Sequence, residues 1–131
     1  MKITVLSAEK VRNSYSKQAI DEYIKRLGTF TKVDFIVDKN PLKKLPQQAY
    51  IIEISPKGKC ISSEELAQQI NDLMLHGNSH IVFVLTPPTD VAADYSLAIS
   101  RMDMDPEILS IIVFEQIYRA FTIITGRPYH K

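Results

Sequence analysis

The sequence predicts an α/β domain on a mostly parallel sheet flanked by helices. Three observations carry that prediction. Segments of strand character alternate with segments of helical period along the 131 residues. The run HIVFVL, residues 80 to 85, is apolar without interruption, the pattern of a parallel strand covered on both faces. The segments are punctuated by DKNPLKKLPQQ, SPKGK and TPPTD, whose prolines, glycine and lysines suit connections.

The elements follow in order. Ile3, Val5 and Leu6 open a short first strand. From Ser14 to Leu27 the apolar positions Tyr15, Ala19, Ile20, Tyr23, Ile24 and Leu27 recur at helical spacing, and Gly28 stops the helix. KVDFIV (32 to 37) reads as a second strand and YIIEI (50 to 54) as a third, after which SPKGK is expected to turn the chain. Ser62 and Glu65 supply a capping box for a helix carrying Leu66, Ile70, Leu73 and Met74 on one face, closed by Gly77. Tyr95 to Met102 alternates weakly, as a short strand or extended segment, and Pro106 stands where a helix would begin. Residues 108 to 124 are then apolar nearly all round. A helix without a polar face is covered on several sides, which predicts a dimer interface through this helix.

Length allows one domain, spanning 1 to 131. The 45% hydrophobic and 24% charged composition is that of an ordinary globular protein. No run of apolar residues reaches the roughly 20 needed to span a bilayer, and MKITVLSAEK reads as a first strand, not a signal peptide. Together with a single cysteine, Cys60, these features predict a cytoplasmic protein with no membrane association. The net charge of +1 hides a division: residues 1 to 60 carry twelve Lys and Arg against six acids, residues 61 to 131 four against nine. The basic half points to a polyanionic partner or to ordinary solvated charge.

Several chemistries find no support. The four glycines lie far apart, so no phosphate-binding loop exists. His76 and His80 straddle Gly77 without a carboxylate or thiol neighbour, so no metal site is expected. Lys59 would favour the Cys60 thiolate, but no histidine is near in sequence, and a lone packed or exposed cysteine is the plainer reading. Arg127, Tyr129 and His130, just beyond the apolar helix, suit stacking on a base, gripping a phosphate, or pinning the tail to a partner subunit.

The closing EQIYRAFTIITGRPYHK resembles the signature that ends the large-subunit rRNA pseudouridine N3-methyltransferases, a family of the SPOUT class of trefoil-knot methyltransferases, whose chains end in E-Q/S-x-Y/F-R-A-x-x-I and a terminal Y-H. MKITVL, KQAIDEYIKRLG, GKCISSEELAQQIN and IVFVL are similar to that family in the same order. The resemblance implies a cytoplasmic homodimer with a C-terminal trefoil knot that holds S-adenosylmethionine and methylates N3 of a pseudouridine in large-subunit rRNA on the ribosome. Carried across by position, the cofactor site falls on Ile52, on Thr86 and Pro87, and on Ile99, Ser100, Arg101, Met102, Asp103 and Met104. Arg101, Arg119, Tyr129 and His130 become candidates for substrate positioning, and Arg127 joins the tail. Arg119 has a second role available, an ion pair with Glu115 at i,i+4.

The departures from the family pattern are specific. Where the family has Gly-Gly this chain has Thr86-Pro87, continued by Pro88-Thr89-Asp90, and proline adds a ring while removing an N–H donor. The family helix after this loop is largely missing. The family's P-H, with an arginine four residues later, reads Asp105-Pro106 and then Ser110. Asp103 and Asp105 place negative charge where a cationic sulfonium or RNA phosphate is expected. These changes give the alternative reading: a knotted dimer that binds ribosome, RNA or protein without methyl transfer. No catalytic proton acceptor is singled out.

Overall fold

The computed structural model describes residues 1–85, 87 and 91–129, with the backbone alone for Leu42. The strands are β1 (Lys2–Ser7), β2 (Lys32–Val37), β3 (Tyr50–Cys60), β4 (His80–Val84) and β5 (Tyr95–Ala98); the helices are α1 (Ser14–Leu27), α2 (Ser63–Leu75) and α3 (Pro106–Thr125). A 3-10 turn, Pro41–Lys44, interrupts the loop before β3. The sheet order is β2-β1-β4-β3-β5 and every pairing is parallel.

Alternation along the strands builds two cores of unequal size. Ile3, Val5, Ile52, Ile54, Ile81 and Phe83 meet Ile20 and Leu27 of α1, Leu66, Ala67 and Ile70 of α2, and Val113, Phe114, Ile117, Ala120 and Phe121 of α3. On the opposite face Leu6, Ile51, Val82 and Val84 are covered by Ile36, Leu45, Ala49, Val91 and Ala93, side chains from an edge strand and loops. β4 is therefore buried on both faces, as its unbroken apolar run predicts.

Local chemistry explains the helix ends. In α2 the Ser62 hydroxyl accepts from Glu65 N–H, and the Glu65 carboxylate accepts from Ser62 N–H. In α3 the Asp105 carboxylate accepts from the Glu107 and Ile108 N–H groups, Pro106 occupies the first turn, and Gly126 closes the helix in the left-handed region at φ 71°. The N–H of Arg127 then reaches the Thr122 carbonyl at 2.9 Å, as in a Schellman closure. Asn13 at the start of α1 makes no side-chain cap bond with its own helix; its side chain goes to Glu107 of α3 instead.

One expectation changes. SPKGK does not end the third strand: β3 runs on to Cys60, and Leu97 of β5 pairs with both Ile54 and Lys59. The intervening residues form an irregularity inside a strand pair, because pairing resumes beyond them. Gly58 lies there, where an added Cβ would come within 2.8 Å of the Leu97 and Ser96 backbone. By length and composition α3 is apolar enough to cross a membrane. Its Ser110, Val113, Phe114, Ile117, Ala120 and Phe121 instead form a buried stripe within the domain.

Candidate functional site

A cavity of about 310 Å³ opens at the carboxyl ends of β4 and β5, beside the point where β3 leaves its pairing with β4, the side of the sheet on which ligands bind in open α/β folds. β3 contributes Ile54, Ser55 and Pro56, the segment after β4 contributes Leu85 and Pro87, and the chain leaving β5 contributes Ile99, Ser100, Met102, Asp103 and Met104. Pro106 and Leu109 of α3 close it. The ends of β4 and β5 and the middle of β3 reach one side of the sheet, so residues far apart in sequence meet there.

The wall is mostly apolar, with the Ser55 and Ser100 hydroxyls and one carboxylate, Asp103. Such a lining excludes water and presents a few polar groups for orientation. The Ser100 hydroxyl accepts from Met102 N–H at 3.0 Å, a local turn that tightens the segment. In the first turn of α3, the Glu107 carboxylate accepts from Arg12 N–H, Asn13 N–H at 3.2 Å, the Asn13 side-chain amide, and the Ser16 hydroxyl at 2.9 Å. Those donors, the Asn13 side chain foremost, lower the Glu107 carboxyl to about 2. This clasp ties α3, and with it one wall of the cavity, to the start of α1.

Pro87, Ile99, Ser100, Met102, Asp103 and Met104, six of the residues assigned to the cofactor by resemblance, line this one cavity. Ile52 does not: its side chain is fully buried in the β3 core, and Ile54 and Ser55 of the same strand reach the cavity instead. Arg101 is exposed and off the wall. Thr86 lies outside the described residues, as does His130. Ser55, Pro56, Leu85 and Leu109 escaped the sequence reading; an end-of-strand position was the available signal for the first three.

The tail residues gather elsewhere. Leu109 and Thr125 are separated by about 24 Å of helix at 1.5 Å per residue, so the chain leaves α3 at the end far from the cavity, and Tyr129 folds back to the middle of the helix. There Tyr129 donates its hydroxyl to Glu115 at 3.1 Å and sets its ring edge-on to Tyr118, centroids 4.8 Å apart. Arg119 pairs with the same Glu115 at 3.0 Å and lies over the Tyr129 ring. Burial, with hydrogen bonds to Tyr23 and Glu115, raises the Tyr129 phenol far above its ordinary value, so it stays protonated. The tail is pinned, as one reading expected, but to its own helix. The expected Arg119–Glu115 ion pair is also present.

The two histidines are occupied separately. His76 Nδ1 lies 2.6 Å from the Asp72 carbonyl oxygen, and His80 Nε2 lies 2.8 Å from Thr4 Oγ1 across the β4–β1 pairing. Among the described residues no group of three potential metal ligands occurs. Cys60 is exposed.

The family model described as "Predicted SPOUT methyltransferase" matches residues 1–130. The chain belongs to the SPOUT methyltransferase family. A "Ribosomal RNA large subunit methyltransferase H" of Bifidobacterium adolescentis is 36% identical, with all of both chains aligned. That alignment has 159 positions against 131 residues here, leaving at least 28 without a counterpart in this chain.

Proposed function

We propose that this methyltransferase takes its methyl group from S-adenosylmethionine in the Ile54–Leu109 cavity and delivers it to large-subunit ribosomal RNA, at N3 of a pseudouridine, in the cytoplasm. One observation carries the reading: Ile99, Ser100, Met102, Asp103 and Met104, assigned to the cofactor by resemblance, come together in one apolar cavity at the strand ends. Its volume falls at the lower end of the roughly 300–1,000 Å³ of ligand sites. The residues present fit the group. Apolar walls suit its carbon skeleton and Asp103 suits its cationic centre. The cofactor, when bound, supplies an activated methyl group.

The chain's own contribution is alignment and exclusion of water, since Asp103 is the one titratable side chain on the described wall. Arg127 and Tyr129 do not line the cavity of their own chain, which supports a homodimer in which each tail serves the other subunit's site. Ile108, more than half exposed, and the partly buried Ile112 lie one turn apart on α3 and suit such a contact. The trefoil knot belongs to the same proposal. Family membership favours this enzyme over an inactive knotted dimer.

Isothermal titration of the purified protein with S-adenosylmethionine tests the reading. Micromolar affinity, about −8 kcal/mol, is expected, followed by methyl transfer to large ribosomal subunits. No heat at millimolar ligand, with an unchanged melting temperature, refutes it.

A further inference from the structure

The first turn of α3 is held by more than its own helix. Pro106 and Leu109, which close the cavity, belong to this turn, while the buried side chains of α3 begin at Ser110. Local contacts fix its main chain: the Asp105 carboxylate accepts from Glu107 N–H at 3.1 Å and Ile108 N–H at 3.4 Å, and the Ser110 hydroxyl donates to the Glu107 carbonyl at 2.6 Å. Asp105, Pro106 and Ser110 are also positions at which this chain departs from the family pattern, so the departures and the turn coincide. From the middle of the turn the Glu107 side chain crosses to the start of α1 and receives four hydrogen bonds there, from Arg12, Asn13 and Ser16.

The α1 side of this contact runs against local preference. Asparagine at a helix start normally accepts from an N–H of its own first turn, yet the Asn13 side chain makes no such bond and donates to Glu107, 94 positions away. Ser16 is 1% exposed, and its hydroxyl is taken up by the same carboxylate at 2.9 Å. Natural sequences break local rules mainly where function or strain requires it. The donors come from the loop that leaves β1 and from the first turn of α1, and that loop is braced by Glu9 N–H on the Ser7 hydroxyl at 3.1 Å. Glu107 therefore ties the Pro106–Leu109 wall to the carboxyl end of β1, the neighbour of β4, whose exit supplies Leu85 to the same cavity.

We infer that Glu107 is a positioning residue for the methyl donor: through Arg12, Asn13 and Ser16 it holds Pro106 and Leu109 at the spacing S-adenosylmethionine requires, without touching the cofactor itself. Glu107 does not line the cavity, and neither does any described residue of α1. The inference rests on the cofactor reading above and brings a second helix into it. A wall supported only by its own helix cap frays at the first turn, whereas one tied to another element loses that freedom and keeps the site in shape before the ligand arrives.

The test compares Asn13→Ala and Glu107→Ala with the wild type and with Ile70→Val, which thins the α2 core off the cavity wall. Hydrogen–deuterium exchange of the unliganded protein reads the wall directly, and isothermal titration with S-adenosylmethionine reads the consequence. Both clasp variants are expected to exchange the amides of residues 107–110 about tenfold faster and to bind the cofactor about fivefold more weakly. Combining them should weaken binding no further than Glu107→Ala alone, because both remove one contact. Ile70→Val should keep exchange at 107–110 and affinity within about twofold of wild type, which separates positioning from general loss of stability. Affinity within about twofold of wild type in both clasp variants overturns the inference, and so does an equal loss in Ile70→Val. Should Glu107→Ala not fold, Asn13→Ala decides alone, since that side chain makes no cap bond to α1 and its removal spares the helix start. A wild type that binds no S-adenosylmethionine sinks the cofactor reading and this inference with it; a wild type that binds, beside unaltered variants, sinks the inference alone.

Discussion

Gly58→Ala should damage both the stability of the domain and the geometry of its cavity. An ideal Cβ at this position lies 2.8 Å from Leu97 C, Leu97 N and Ser96 C. Ordinary carbon contacts are about 3.5–4.0 Å, so β5 or β3 must retreat by roughly 0.7 Å or more. The opposing atoms are backbone, so no rotamer change relieves them. Overpacking of this kind costs about 1–3 kcal/mol, offset by the ~0.4–1 kcal/mol that alanine gains by restricting the unfolded chain. A net loss of about 1–2 kcal/mol corresponds to roughly 3–10 °C in a domain this size. The displaced residues lead directly into Ile99–Met104 on the cavity wall, and a shift of about 1 Å can cost ~100-fold in rate. Scanning calorimetry and cofactor titration read the two effects. A melting temperature within about 1 °C of wild type, with cofactor affinity within about twofold, would refute the close-approach argument and its link to the site.

Glu107→Gln tests the clasp between α3 and α1. The folded carboxyl titrates at about 2 against an ordinary 4.5, a depressed value, so its stabilisation is present above about pH 4.5 and is lost as pH falls towards 2. The wild type should therefore lose melting temperature more steeply across that window than the variant, and parallel profiles would contradict the clasp. Phe114→Ala removes a fully buried ring set edge-on to Phe35 at 5.4 Å; a loss of about 3–5 kcal/mol is expected in denaturant unfolding, and a loss under about 1 kcal/mol would mean the core is not packed as described. Tyr129→Phe keeps the ring contact with Tyr118 and deletes the hydroxyl donated to Glu115. It should cost about 1 kcal/mol, and no loss in thermal unfolding would mean the tail is not pinned to its own helix.

Much of the fold is legible locally because its signals are local. The period of Ser14–Leu27, the Ser62–Glu65 capping box and Pro106 at a helix start depend on neighbours within a turn or two, and the corresponding elements begin and end where those signals stand. The unbroken apolar run in β4 likewise reports its own burial. β3 behaves differently. SPKGK carries turn residues, yet pairing with β5 carries the strand past them, and no local rule anticipates a partner some 40 residues away.

The site divides along the same line. Sequence by itself determined the family and the Arg119–Glu115 pair, and marked Ile99–Met104 as the segment that the resemblance gives to the cofactor, since each is written in contiguous or helically spaced residues. Tertiary structure alone decided which of those side chains share a cavity: it placed Ile52 in the core, turned Arg101 away, and recruited Ser55, Leu85 and Leu109. It also joined Glu107 to Asn13 across 94 positions and laid Arg127 on Phe30. These contacts depend on how parallel strands order themselves and where a helix packs, which are properties of the whole chain's burial and not of any window within it.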